Sequence, residues 1–168
     1  VRIRRAVPAD VPVLVELIGD LAEYEHSAHL CTVTAAQLHT ALFGPGPAVF
    51  GHVAEIPAGH ETGGAVIGMA LWYLSFSTWD GVHGIHLEDL YVRPDHRGRG
   101  AGRALLATLA GVCTARGYTR LEWEVIDWNA PSLAFYRGLG ASARTDWIPH
   151  RLAGRPLATL AAEAPAGG

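Results

Sequence analysis

Leu14, Leu17, Ile18 and Leu21 recur at the three- and four-residue spacing of one helical face, which predicts a helix from about Asp10 to Glu25. Asp10 is its candidate cap, and Pro12 falls early enough to be tolerated. A shorter helix is expected over Thr34–Phe43, closed by Gly44-Pro45-Gly46-Pro47. Apolar runs at Val49–Glu55, Ala65–Phe76 and Ile85–Val92, separated by turn-forming residues, read as three strands. The strongest helix pattern is Gly100–Arg116, with Leu105, Leu106 and Leu109 on one side. A strand at Arg120–Val125, a helix at Asn129–Leu139, a strand at Thr145–Leu152 and a short helix near Leu157–Ala162 complete the pattern. With a first strand at Arg2–Val7, the order is β-α-α-β-β-β-α-β-α-β, an α/β chain with a central mixed sheet and helices on both faces. Residues 1–162 are expected to form a single domain, and 163–168 a flexible tail of low complexity.

Composition narrows the classes. The chain has 168 residues, 49% of them hydrophobic, enough to bury a core without disulfides or metal. A net charge of −3 gives no general case for nucleic acid. No apolar run reaches the roughly 18 residues of a membrane span. With only Cys31 and Cys113 and no apolar leader at the N-terminus, a reducing cytoplasm is the expected compartment. All 13 basic residues are arginine, which excludes a lysine nucleophile or Schiff base.

The most informative segment runs from Leu87 to Arg103, LEDLYVRPDHRGRGAGR. A strand ends at Val92, a turn follows, and glycines open a long helix, the arrangement that presents unpaired N–H groups to an anion. A nucleotide P-loop does not fit, because no Lys-Ser or Lys-Thr follows the glycines. A dinucleotide fingerprint fails because Arg103 stands where its third glycine belongs. What remains is Arg97-x-x-Gly100-x-Gly102. The second segment, Asp127–Ala141, reads DWNAPSLAFYRGLGA; Asn129 and Tyr136 are seven residues apart, two helical turns, and can face one ligand.

These two segments resemble the acetyl-CoA signature of the GNAT superfamily of N-acetyltransferases. Further matches at Leu21–Glu25, Trp72-Tyr73, Trp79, Gly81 and Leu87–Asp89 make nearly the whole chain similar to the diamine branch, which includes spermidine/spermine and thialysine enzymes. The resemblance implies a GNAT-type fold and direct transfer, within a ternary complex, of the acetyl group of acetyl-CoA to a small-molecule primary amine. It implies that Leu90, Tyr91 and Val92 meet the acetyl and pantetheine portion through main-chain groups. Arg97 and the turn Gly98, Arg99, Gly100, Ala101, Gly102 and Arg103 would hold the pyrophosphate. Asn129, Ala130, Pro131 and Ser132 would line the cofactor, and Tyr136 would be the general acid for the departing thiolate. Tyr24, Glu25, Glu88, Asp89, Glu122, Trp123 and Glu124 would border the amine. A homodimer is implied too, with Thr145–Leu160 at the interface.

Amine acetylation needs a neutral nucleophile, and an alkylamine of pKa ~10.4 is neutral in only about 1 molecule in 2,500 at pH 7, equivalent to about 4.6 kcal/mol. Glu88 is the first candidate for the carboxylate that assists and Asp89 the second; strand alternation sends them to opposite faces unless a bulge intervenes. Polyamine-acetylating members carry extra carboxylates just after the position of Glu25, where this chain has His26-Ser27-Ala28-His29-Leu30. A lysine-like or thialysine-like amino acid therefore stands beside a diamine as acceptor. The other readings are another amine, such as an aminoglycoside or a protein N-terminus, and a CoA-binding regulatory domain without turnover. No metal site is expected: His26/His29 and His83/His86 have no Cys-His cluster beside them, and the second pair should point to opposite strand faces.

Overall fold

The computed structural model describes residues 1–59 and 64–165, so residues 166–168 of the expected tail lie outside the described part. The chain divides into two compact units, Val1–Ile126 and Asp127–Gly168.

The first unit carries the whole sheet. Its strands are β1 (Arg2–Arg5), β2 (Phe50–Glu55), β3 (Val66–Ser77), β4 (Val82–Val92) and β5 (Leu121–Trp123), in that spatial order. β1 to β4 are antiparallel and β5 joins β4 in parallel, which makes the sheet mixed. The β4-to-β5 connection is α3 (Ala101–Arg116), the crossover helix that a parallel pair requires.

Register sorts the two faces. Val53, Met69 and Tyr91 lie in one row across β2, β3 and β4, and with Leu71 they pack against Leu14 and Leu17 of α1 (Val11–Tyr24) and Leu38 and Leu42 of α2 (Ala35–Phe43). Ile85 and Leu87 face the other way, and there Leu105, Leu106 and Leu109 of α3 are buried. Helices thus cover both faces, as the hydrophobic pattern predicts. On the α3 side, the buried Trp72 indole donates to Nδ1 of the buried His52 at 3.1 Å. An indole N–H only donates, so this ring nitrogen is the acceptor of a neutral imidazole. Burial, then the charge of Arg5, lowers the pKa of His52 in agreement.

Helix ends in this unit differ in how they are capped. Thr34 caps α2 in a reciprocal box with Gln37, the Thr34 N–H reaching Oε1 at 2.9 Å. Asp10 precedes α1 but makes no side-chain cap to it. Its carboxylate instead accepts from Arg4 at 2.7 and 2.9 Å and from the Val7 N–H at 2.8 Å, and Arg4 also donates to Glu55. Burial alone would raise the Asp10 pKa, but Arg4 and Val7 hold it below the ordinary carboxylate value. α1 ends through His26, the one non-glycine residue of positive φ (58°) among those described, with the Ser27 N–H bonded to the Ala22 carbonyl.

The second unit holds α4 (Ala130–Gly138) and α5 (Gly154–Ala161). The strand expected over Thr145–Leu152 is absent: that stretch is irregular, and α5 begins three residues earlier than the expected helix. Pro149 in the middle of the run supplies no N–H to a ladder, which weakens any strand pairing there.

Candidate active site

The centre of the first unit's site is an irregularity in β4. Leu71 of β3 pairs with Asp89 while its neighbour Trp72 pairs with Leu87, so Glu88 is the extra residue of a β-bulge. Asp89 therefore shares the α1 face with Leu71 and Tyr91. Glu88, freed from strict alternation, acts electrostatically on both Asp89 and Tyr73. Enclosure first, then the charges of Glu88 and Glu25, push the Asp89 carboxyl up to about 6. Burial also raises Glu25. Glu25, Glu88 and Asp89, three of the acidic residues singled out by sequence, thus form one interacting group.

Beside them Tyr73 and His86 stack, ring centroids 4.8 Å apart and planes 21° apart. His86 pairs across the parallel ladder with Glu122, so Tyr73, His86 and Glu122 form a row on the same face as Asp89. Burial, then Glu88 and Glu124, raises the Tyr73 phenol. Tyr73 and His86 were not among the sequence candidates for the pocket; the strand pattern places them on a face but cannot show that they stack. Trp123 pairs with Leu87 and belongs to the opposite face from Glu122. Phe76 pairs with His83 as Tyr73 does with His86, so the two histidines point to opposite sides, as strand alternation requires. No group of three metal-ligating side chains is found among the described residues.

β5 meets β4 only at Ile85, His86 and Leu87. From Glu88 to Val92, including Leu90 and Tyr91, the β5-side edge of β4 has no strand partner among the described residues, and such an edge can pair with an extended amide-bearing chain.

The turn after β4 opens α3 on glycines. Gly98 (φ 72°) and Gly100 (φ 85°) take left-handed backbone, and Gly100 opens α3 with no side-chain cap. The first intrahelical bond, Ala104 N–H to Gly100 C=O at 2.9 Å, leaves the amides of Ala101, Gly102 and Arg103 without an intrahelical carbonyl partner. Arg99 and Arg103 are exposed beside them. This donor set fits a diphosphate. Arg93, four residues before Arg97, is instead engaged by α1, with Glu16 at 3.1 Å and Asp20 at 3.7 Å.

The second unit's residues follow their own logic. Asn129 caps α4, its Oδ1 accepting from the Ser132 N–H at 3.2 Å, and it is 6% exposed. Ala130 and Pro131 form the first helical positions. Tyr136, two turns on, is half-buried, and its ring lies 5.2 Å from that of Phe135.

The model of the acetyltransferase (GNAT) family matches residues 22–141. Thialysine N-epsilon-acetyltransferase of Mus musculus is 35% identical over 165 residues, covering 95% of this chain and 96% of the relative. L-ornithine N5-acetyltransferase of Arabidopsis thaliana is 28% identical, covering 95% and 87%. Among solved structures, an integron cassette protein from the mobile metagenome of V. cholerae superposes with a TM-score of 0.76 at 24% identity, covering 95% of this chain and 96% of that one.

Proposed function

This chain belongs to the GNAT family and is an acetyl-transferring enzyme, and from that premise we propose that it carries the acetyl group of acetyl-CoA to the terminal amine of a lysine-like amino acid or short diamine. The observation that carries the reading is the β4 bulge at Glu88, which leaves Asp89 on the α1 face, where enclosure first, then the charges of Glu88 and Glu25, push its carboxyl up to about 6. A carboxylate of that proton affinity is ionised at neutral pH yet a better acceptor than an ordinary aspartate. In this reading the Glu88/Asp89 pair draws the cationic amine and takes one proton from it before attack; the neutral amine then forms the N–C bond, and as the C–S bond breaks its second proton passes to solvent, which restores the phenol that protonates the thiolate. Tyr136 supplies the proton that the departing thiolate needs. The amides of Ala101–Arg103 with Arg99 and Arg103 receive the pyrophosphate, and the open β4 edge at Leu90–Val92 receives the pantetheine amides. In this reading transfer is direct, with no acyl-enzyme intermediate.

Two features support the acceptor class. Mouse and Arabidopsis relatives are named for thialysine and ornithine, both ω-amino acids. Only neutral residues and histidines occupy positions 26–30, where a long polycation needs further carboxylates. We also propose a homodimer joined through the apolar C-terminal segment.

The test is thiol release from acetyl-CoA with thialysine, lysine, ornithine, putrescine, spermidine and an aminoglycoside. Turnover is expected on the ω-amino acids and putrescine, with Tyr136→Phe lowering kcat by about 100-fold or more. Turnover confined to the aminoglycoside would overturn the acceptor class, and an unchanged kcat in the Phe variant would remove Tyr136 from the mechanism.

A further inference from the structure

Arg97 has a use that the phosphate reading does not contain. Its Nε–H donates to the main-chain carbonyl of Val92, the last residue of β4, at 2.8 Å. Its guanidinium carbon lies 5.1 Å from the ring centre of Tyr24 and 5.3 Å from that of Tyr91, both within cation–π range. Tyr24 is the last residue of α1, and the next residue is Glu25, one of the carboxylates that act on Asp89. Tyr91 is buried in the α1-facing core. One guanidinium therefore ties together the start of the glycine turn, the end of β4 and the end of α1. Arg97 is exposed like Arg99 and Arg103, but its side chain is already engaged in this way, so the task of phosphate counter-charge falls to the other two.

We propose that Arg97 is a positioning residue that couples the donor turn to the acceptor wall, a role that rests on reading Gly98–Arg103 as the acetyl-CoA turn. A ligand seated on those amides fixes the main chain at Arg97, whose side chain then holds Tyr24, and with it Glu25, in place. Coupling of this kind is reciprocal, so an acceptor held by Glu25 also tightens the turn. Arginine is required rather than a positive charge: a lysine ammonium cannot bridge two rings and a carbonyl with one planar fork.

Arg97→Lys separates the two readings, with Arg97→Ala as the second variant. In two-substrate kinetics, Arg97→Lys is expected to raise the acceptor KM about fivefold or more, while the acetyl-CoA Kd measured without acceptor stays within about twofold. Amide hydrogen exchange supplies the readout independent of turnover. Acetyl-CoA should slow exchange at Glu25–Ser27 in the wild type and not in Arg97→Lys. Even without ligand, those amides should exchange faster in both variants than in the wild type. The proposal is overturned if Arg97→Lys behaves as wild type while Arg97→Ala raises only the acetyl-CoA KM, with a steep salt dependence; Arg97 is then a phosphate counter-charge. A wild-type protein that binds no acetyl-CoA by calorimetry would refute the donor-turn reading instead, and the ligand-free exchange comparison would still decide whether the clamp exists.

Discussion

Asp89 owes its altered proton affinity to three causes of two kinds: enclosure first, then the like charges of the adjacent Glu88 and of Glu25. They can be separated by pH. If Asp89 must be ionised to accept the amine proton, kcat/KM rises with pH through about 6 in the wild type. Removing the like charge with Glu88→Gln stabilises ionised Asp89, so the acid limb should move to lower pH. Asp89→Asn should abolish that limb and reduce kcat by about 100-fold or more. A Glu88→Gln profile whose limb stays in place, or moves upward, would show that Asp89 is not the titrating group. The identity of these two carboxylates is legible in the sequence, because Leu-Glu-Asp precedes the glycine turn. The face that Asp89 takes, with Glu88 as the bulge residue beside it, is not. It depends on Leu71 pairing with Asp89 while Trp72 pairs with Leu87, a fact of register that no single strand carries in its own pattern.

At the scale of the elements, β3 and β4 form the longest strand pairing, and Gly68 shows how closely they meet. A Cβ on Gly68 would lie 2.7 Å from the Tyr91 carbonyl oxygen and 3.0 Å from a Val92 methyl, so one strand would have to move. Gly68→Ala should cost about 1–3 kcal/mol in urea unfolding, and it should disturb the donor-side end of β4 as well. Gly100→Ala is the contrast. Nothing lies within 4 Å of its added Cβ, and the cost is backbone strain at φ 85°. That cost is about 1–2 kcal/mol, and the larger effect is expected on acetyl-CoA KM. Equal losses of stability with no difference in KM would refute the separate roles assigned to the two glycines. Most elements were readable because helix and strand periods are local: α1, α3 and β2 begin and end within a residue or so of where the hydrophobic pattern places them. The misplaced strand at 145–152 has apolar residues enough, but a strand exists only through its partner, and Pro149 weakens any ladder. The Arg97 clamp was illegible for a related reason, since it joins residues 24, 91 and 97 through a fold that must form first.

At the scale of the molecule, the first unit buries most of its large apolar side chains on both sheet faces, with Leu30, Phe76 and Trp79 left exposed, whereas the C-terminal segment displays its own. Trp147 is 56% exposed, Ile148 78%, Leu157 51% and Leu160 56%. Every described residue of α5 is exposed, although its apolar residues fall on one side of the helix. Among the described residues no helix is long and apolar enough to cross a membrane, so these side chains do not belong to a helical span. Each large aliphatic group brought fully out of water contributes about 1.5–3 kcal/mol, and a second copy of the chain would cover two such sets at once because a two-fold interface uses the same patch twice. Light scattering at micromolar concentration should therefore give twice the mass of one chain. Ile148→Asp and Leu157→Asp, each placing a charge where the partner would sit, should return the mass to one chain, and the fold should survive because neither side chain is buried. A wild-type mass of one chain across the micromolar range would instead mean that these apolar residues do not hold two copies together.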